Sequence, residues 1–426
     1  MELSRKATNG TIILEVREDY ASMNAVIKDR ISTYLRYAQE KVPYYQVKFR
    51  GLAVSAETMH ELPITYSDDL CRNPEAFVAE SDKIVQMAST GGTYTNRKLI
   101  FRTFEDIQRS VATAEKMFMC SGIGTGDRIA ILQPFDLWGV GHIALRAFQG
   151  INAFSCPFGI SSIDSDLPWF LDKLGLDVIY ATPSRITNIA ESLPHQGFRL
   201  KRILCAGEPI MASHREKVRN AFSCEIFGIY GSEETDGIGA ECRYHNGYHV
   251  FDDCLVVELL NPATLQPSNS GQGVLVVTKL DYKGTVLIRY LLDDIVEICK
   301  PGCQCGAKDR KIRIVGRRSE TIFLYDGFKV PVLSIEQAIK QIFSDVPTYQ
   351  VVVKNTGRES LLRIRVEFEG SEATGEKLVD AIRMSIEELR TEIQSINNVK
   401  IEIEFVSDPS CFQFTKRGKL PKIVNG

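Results

Sequence analysis

Between about residues 83 and 298, short β-branched and apolar runs (RIAIL, DVIYA, KRILCA, EIFGIYG) alternate with amphipathic stretches such as Phe104 to Cys120 and Ser213 to Phe222. Strand-length runs separated by helix-length segments predict parallel α/β layers. Upstream, Ile27, Ile31, Leu35 and Ala38 recur at helical spacing within Ala25 to Val42, and Pro43 predicts the end of that helix. The runs GVLVVTKL and TVLIRYLLDDIVEI, joined by the turn-forming DYKG, predict a pair of antiparallel pieces and a β subdomain. After Gly316 the pattern changes to a helix near Ser334 to Ile342, strands YQVVV and LLRIRVEFE, a helix near Gly375 to Arg390 and a strand VKIEIEFV. The expected fold is therefore α/β, with a large N-terminal α/β domain carrying a β subdomain and a small C-terminal α+β domain of about a hundred residues.

Length and composition fit this division. A chain of 426 residues exceeds what one ordinary hydrophobic core organises, and 44% hydrophobic with 25% charged residues is the balance of a folded globular protein. A formal net charge of -3 gives no global positive field, so nucleic acid is not an expected partner. The opening MELSRKATNGTIILEVRED lacks the apolar core of a secretory signal, and no run approaches the roughly 18 apolar residues of a membrane span. The expectation is a cytoplasmic protein without membrane attachment. Its eleven cysteines then read as reduced thiols with a metal site among them, rather than as a disulfide framework.

The stretch STGGTYTNRK, from Ser89, follows the strand-like VQMA. Glycines let backbone N–H groups approach an anion closely and hydroxyls add donors, so this is a candidate phosphate loop, although taken alone a Ser/Thr/Gly turn without function is the better reading. It has neither the GxxxxGK[ST] nor the GxGxxG spacing. Five further pieces follow in order: AGEPI at Ala206 to Ile210, YGSEE at Tyr230 to Glu234, IRYLLDD at Ile288 to Asp294, GRRSE at Gly316 to Glu320 and KRGKL at Lys416 to Leu420. Together with the first loop they resemble the core motifs of the adenylate-forming superfamily of acyl-CoA synthetases, luciferases and peptide-synthetase adenylation domains. AQEKVPYYQ, ELPITYSDDL and YGSEETDGIGAEC resemble its phenylacetate-CoA ligase branch, and the resemblance covers nearly the whole chain.

The resemblance implies roles residue by residue. Ser89, Thr90, Gly91, Gly92 and Thr93 would hold the β- and γ-phosphates of ATP. Gly207, Glu208 and Pro209 would lie against adenine, with Tyr230 stacked there and Gly231 and Ser232 beside it. Asp294 and Arg317 would reach the ribose, Glu234 would bind Mg²⁺, and Lys419 would bridge the attacking carboxylate and the α-phosphate. A carboxylate is a weak nucleophile approaching a polyanion, so charge must be neutralised before attack at the α-phosphorus. The resemblance divides the chain into an adenylation domain, 1–317, and a mobile domain, 318–426, that turns about a hinge near Ser319. Two departures stand out: Tyr94 and Thr95 replace the Gly-Lys of the phosphate loop, with basic residues displaced to Arg97 and Lys98, and Leu291, Leu292 and Asp293 precede Asp294 where relatives carry Arg-Thr-Gly.

In this branch the QPFDLWGVGH segment lines the acid pocket. Phe135 and Trp138, with the small Gly139 and Ala206, would form a flat slot for an aromatic ring; the competing reading makes both aromatics plain core. The run CKPGCQCG places Cys303 and Cys305 in a CxC knuckle flanked by Gly302 and Gly306. The resemblance implies that Cys242 and His249 complete a structural Zn²⁺ site, with Cys299, Cys254 and His245 as substitutes and free buried thiols as the alternative. The implied activity is ATP-dependent conversion of a small, aryl carboxylic acid to its acyl-AMP with transfer to coenzyme A. Competing readings replace coenzyme A by an amine or hydroxyl acceptor, or make the chain a nucleotide-binding module without catalysis. The resemblance leaves a homodimer open as the assembly.

Overall fold

In the computed structural model, the described residues are 12–14, 25–90, 97–160, 166–192, 200–250, 255–262, 264, 265–268, 271–300, 302–307, 310–318, 321–324, 329–343, 346–356, 359–368, 371–387, 399–408, 411–413 and 422–425. The chain divides into two units, one comprising Met1–Leu260, Pro267–Leu292 and Val296–Ile314, the other Asn261–Gln266, Asp293–Ile295 and Val315–Gly426.

The strands in chain order are β1 (Ile12–Leu14), β2 (Ile84–Ser89), β3 (Leu99–Thr103), β4 (Arg128–Ile131), β5 (Phe154–Pro157), β6 (Val178–Ala181), β7 (Arg202–Cys205), β8 (Ile226–Ser232), β9 (Asp236–Glu241), β10 (Tyr248–Val250), β11 (Leu255–Leu260), β12 (Gln272–Lys279), β13 (Tyr290–Ile298) and β14 (Lys311–Arg317). Among the described residues twelve of them form one sheet in the order β1-β11-β12-β13-β14-β10-β9-β8-β7-β6-β4-β5, while β2 and β3 form an antiparallel hairpin. Strands β5, β4, β6, β7 and β8 run parallel, and β8 then pairs antiparallel with β9. The antiparallel strands predicted as a β subdomain thus continue the parallel sheet, with β8 as the seam.

Eight α-helices lie among the described residues of the first unit: α1 (Ala25–Lys41), α2 (Pro43–Lys48), α3 (Ser67–Arg72), α4 (Phe104–Cys120), α5 (Val140–Gly150), α6 (Leu167–Leu174), α7 (Pro183–Ser192) and α8 (Ala212–Phe222). Successive strand residues point to opposite faces. Ala130, Ile179, Ala181, Ile203 and Cys205 pack on one side with Leu171 of α6, Ile186 of α7 and Val218 of α8. Ile129, Ile131, Val178, Tyr180 and Leu204 pack on the other with Phe118 of α4 and Phe148 of α5. Covering both faces is what permits the fully apolar VIYA of β6.

Local chemistry sets the element ends. Helix α4 begins with a capping box in which the Asp106 amide donates to Thr103 Oγ1 at 3.2 Å and the Thr103 amide donates to Asp106 Oδ2 at 2.9 Å. Asp106 also accepts from the amides of Lys283 and Gly284 at 3.0 and 2.8 Å, which ties the DYKG turn to this helix. A Cβ at Gly284 would lie 2.2 Å from the Phe101 carbonyl oxygen, so the turn needs glycine there. The run from Thr285 becomes strand only at Tyr290, because Arg289 adopts a left-handed φ of 47°. The Arg289 side chain is buried against Glu258 at 3.0 Å, an interaction that holds this unfavourable backbone.

The second unit contains β15 (Thr321–Phe323), β16 (Lys329–Pro331), α9 (Val332–Ile342), β17 (Tyr349–Thr356), β18 (Glu359–Glu367), α10 (Glu372–Glu387), β19 (Val399–Val406) and β20 (Ile423–Asn425). Four of these strands are ordered β19-β18-β17-β20. Alternate residues Leu362, Ile364 and Val366 of β18 pack with Ile335 and Ile339 of α9 and Leu378 and Ile382 of α10. No described helix is long and apolar enough to cross a membrane.

Candidate active site

In a parallel sheet, ligands bind beyond the carboxyl ends of the strands, where the loops leave one edge. Here three motif segments do so. QPFDLWG follows β4, AGEPI follows β7, and YGSEE occupies the end of β8 and the turn into β9. Further hydrogen bonds connect them. The Ser89 amide, at the end of β2, donates to the Leu137 carbonyl at 2.7 Å, and the Gly139 amide donates to Glu233 Oε2 at 3.0 Å. A Cβ on Gly139 would lie 2.7 Å from Glu233 Oε1 and 2.8 Å from Arg102 Nη1, so the segment can approach this closely only as glycine.

The candidate phosphate loop is described only at its ends. The Thr90 amide donates to the Lys98 carbonyl at 3.1 Å and the Lys98 amide donates to Thr90 Oγ1 at 3.2 Å, closing the neck of the loop. Gly91, Gly92, Thr93, Tyr94 and Thr95 lie outside the described residues, as do Ser319 and Lys419.

On the expected adenine side, Gly207 has a φ of 91°, a conformation that favours glycine, and Glu208 accepts from the Ser184 amide and hydroxyl at 2.9 and 2.7 Å. Ala206 packs against the core beneath β4 and β7. Tyr230 is buried, its ring 5.6 Å from that of Tyr248. At Gly231 a Cβ would lie 2.2 Å from the Asp236 carbonyl oxygen, so the irregular pairing between β8 and β9 requires glycine. Ser232 Oγ and Thr235 Oγ1 are 2.9 Å apart across the turn.

Glu234 is buried and its Oε1 contacts the Lys98 ammonium and accepts from the Tyr290 hydroxyl at 3.2 Å. Burial works to raise this carboxyl, but Lys98, with hydrogen bonds from the Glu234 backbone and Ser232, outweighs it and holds the group below the usual carboxylate range. Beside it, sequence reasoning missed a buried ionic network. Arg102 Nη2 lies 2.7 Å from Glu233 Oε1 and 2.8 Å from Asp236 Oδ1, and Lys279 Nζ lies 2.7 Å from Asp236 Oδ2. The partners are far apart in sequence, and no local pattern announces them.

The aromatics of the expected acid pocket differ. Phe135 is half-buried against the core, its carbonyl 2.9 Å from His142 Nε2, whereas Trp138 is 40% exposed, so neither is fully enclosed in the core. In the second unit Arg317 Nε lies 3.3 Å from Asp294 Oδ1 and 3.8 Å from Asp293 Oδ2, which brings the two expected ribose residues together.

Cys242, His249, Cys303 and Cys305 converge, with candidate ligand atoms all within 4.8 Å of one another. Cys242 Sγ is 3.7 Å from Cys303 Sγ, and Cys305 Sγ is 3.5 Å from His249 Nε2. Metal–sulfur bonds of about 2.3 Å and metal–nitrogen bonds of about 2.0–2.1 Å at tetrahedral angles require S···S near 3.8 Å and S···N near 3.5 Å. These two separations match those of a tetrahedral site. Gly302 and Gly306, both at φ 86°, shape the knuckle, and the Ala307 amide points at Cys305 Sγ at 3.5 Å. Burial pushes the Cys242 thiol up to about 11. Of the substitutes, His245 lies against Glu241 at 3.3 Å, Cys299 is directed at the Asn246 carbonyl at 3.7 Å, and Cys254 lies outside the described residues.

No protein-family model matches the chain. It is 24% identical over 404 residues to phenylacetate-coenzyme A ligase of Escherichia coli, covering 90% of this chain and 91% of that protein. It is 23% identical over 389 residues to phenylacetate-coenzyme A ligase of Thermus thermophilus, with 84% and 86% covered. Among solved structures, an open conformation of 2-hydroxyisobutyryl-CoA ligase with its acyl-AMP and CoA has a TM-score of 0.77, with 20% identity and 97% and 95% of the two chains covered. These likenesses support an enzyme of the adenylate-forming ligase class, similar over most of its length to phenylacetate-coenzyme A ligases. A more distant structural neighbour is ATP-bound MatB from Rhodopseudomonas palustris, with a TM-score of 0.55, 13% identity, and 80% and 67% covered. The ligase thus shares its mixed α/β fold and separate C-terminal α/β region with known members of the superfamily.

Proposed function

We propose that the ligase activates a small carboxylic acid with ATP as its acyl-AMP and passes the acyl group to coenzyme A, and that the acid is aryl. The observation that carries this reading is the departure of the QPFDLWG, AGEPI and YGSEE segments from one edge of the parallel sheet. The relatives named as phenylacetate-coenzyme A ligases support the choice of an acid and of coenzyme A.

In this reading the backbone amides and hydroxyls of Ser89 to Thr93 hold the β- and γ-phosphates, and Tyr230 and Gly207 to Pro209 receive adenine. Asp294 accepts from the ribose hydroxyls, with Arg317 beside it. Glu234 is an ionised carboxylate fit for Mg²⁺, which supplies charge neutralisation on the phosphates when bound. Lys419 holds the attacking carboxylate oxygen near the α-phosphorus; a compact ammonium suits a place between two oxygens better than a planar guanidinium. The carboxylate oxygen forms a bond to the α-phosphorus, and pyrophosphate leaves. The thiolate of coenzyme A then attacks the acyl carbon and AMP leaves, a second step that calls for the region 318–426 to turn and withdraw Lys419.

Phe135, Trp138, Gly139 and Ala206 line the acid site in this reading, and the exposed Trp138 offers an aromatic face to a planar ring. Cys242, His249, Cys303 and Cys305 hold one structural Zn²⁺, whose role is to pin the knuckle to β10 and to the end of β9. Hydroxamate trapping across a panel of carboxylic acids, with and without coenzyme A, tests the reading. Trapping of aryl acids that requires ATP, and thioester that forms only with the thiol, is the expected result. Acyl transfer to an amine or hydroxyl while coenzyme A is ignored would replace the acceptor, and no trapping with any acid would refute the activity.

A further inference from the structure

The phosphate loop of this ligase lacks the lysine of its relatives at Thr95, yet an ammonium stands at the loop's neck. Lys98 is fixed there by its paired hydrogen bonds with Thr90, and its side chain reaches Glu234 Oε1. The same oxygen accepts from Tyr290, whose hydroxyl burial and Glu234 keep protonated. Glu234 is 5% exposed and Lys98 21% exposed, so the carboxylate is sunk while the lysine retains a route outward.

A buried carboxylate needs a cation, and one ammonium already neutralises it. A divalent ion arriving at Oε1 would meet that ammonium within a few ångströms, where like charges screened only by protein repel strongly. The two cations therefore exclude each other on this oxygen. Lys98 can leave by rotating its flexible stem, since its backbone belongs to the closed neck and need not move. What it requires is another anion within reach, and the loop it closes is the one read as binding phosphates.

We propose that Lys98 and a divalent cation are alternative partners of the Glu234 carboxylate, so that the metal enters the ligase only with a nucleotide whose phosphates take over the lysine. Lys98 is then a positioning residue that keeps the metal seat closed to free cations. The proposal rests on the reading of Glu234 as the cation-binding carboxylate.

The probe is Mn²⁺, followed by electron paramagnetic resonance, with and without α,β-methylene-ATP. Without nucleotide, Lys98→Met and Lys98→Gln should bind Mn²⁺ at least about tenfold more tightly than the unmodified ligase, and the double variant K98M/E234Q should lose that gain. Equal Mn²⁺ affinity in the folded Lys98 variants and the unmodified ligase would overturn the proposal. A readout that leaves the lysine in place guards against misfolding of those variants. In Glu234→Gln, Lys98 should be acetylated about tenfold faster, measured by peptide mass spectrometry, and an unchanged rate would also overturn it. Failure of the underlying reading looks different: Mn²⁺ would bind the nucleotide complex of Glu234→Gln as tightly as that of the unmodified ligase.

Discussion

Lys279 Nζ lies 2.7 Å from Asp236 Oδ2, and both side chains are buried. Arg102 holds the other carboxylate oxygen, and Ser110 Oγ donates to Oδ2 at 2.9 Å. Burial would raise the Asp236 carboxyl, but Lys279 and Arg102 hold it well below the usual carboxylate range. Because the folded value lies below the unfolded one, this group's stabilisation is fully present above about pH 3.9 and is lost as pH falls from there through the folded value. Asp236→Asn leaves two buried cations short of a partner and should cost about 3–5 kcal/mol. Thermal melts should show a lower Tm at pH 7 and a shallower loss of stability on acidification; an unchanged Tm would show that the network is dispensable.

The cysteine and histidine cluster predicts about one equivalent of zinc in protein purified without chelator. Removing it should lower the Tm, and Cys303→Ser should do the same while abolishing stoichiometric zinc. Metal analysis that finds none in well-folded protein would mean that the four side chains are thiols and an imidazole in simple contact.

Much of this architecture is legible in the sequence because it depends on local pattern. VKIEIEFV is β19 at its predicted limits, and Phe104 to Cys120 is α4, since alternation and a capping box act over a few residues. The run from Thr285 reads as strand too early, since the left-handed Arg289 is held by Glu258, a partner that no local pattern identifies. Likewise Arg102 and Lys98 each meet an acidic partner across a long stretch of chain, so their pairing emerges only from the fold. The CxC knuckle is local, and its convergence with Cys242 and His249 follows from the pairing of β10 with β9 and β14.

Trp138 is exposed on the loop after β4, so truncating it should cost little stability. An offset-stacked ring gains roughly 0.5–1.5 kcal/mol beyond burial, whereas a flexible chain loses rotamer freedom on entering. Trp138→Ala should therefore weaken the preference for aryl over medium-chain acids and leave the KM for ATP nearly unchanged. Pyrophosphate-release assays that ranked octanoate above every benzoate, cinnamate and phenylacetate with the unmodified ligase would show the aryl reading to be wrong.

Lys419→Ala should slow acyl-adenylate formation by about two to three decades, the effect of removing a preorganised charge from a transition state. Thioester formation from supplied acyl-AMP should change far less. Single-turnover assays of the two half-reactions measure the difference, and an equal loss in both would contradict the role given to Lys419.

The central claim is that a carboxylate oxygen becomes bonded to the α-phosphorus of ATP. An accepted acid labelled with ¹⁸O in its carboxylate, incubated with ATP and coenzyme A, tests this directly by mass spectrometry of the nucleotide product. Attack at the α-phosphorus, followed by thiol attack on the acyl carbon, leaves one labelled oxygen in AMP and none in the pyrophosphate. Unlabelled AMP, or ADP accompanied by labelled inorganic phosphate, would contradict adenylation.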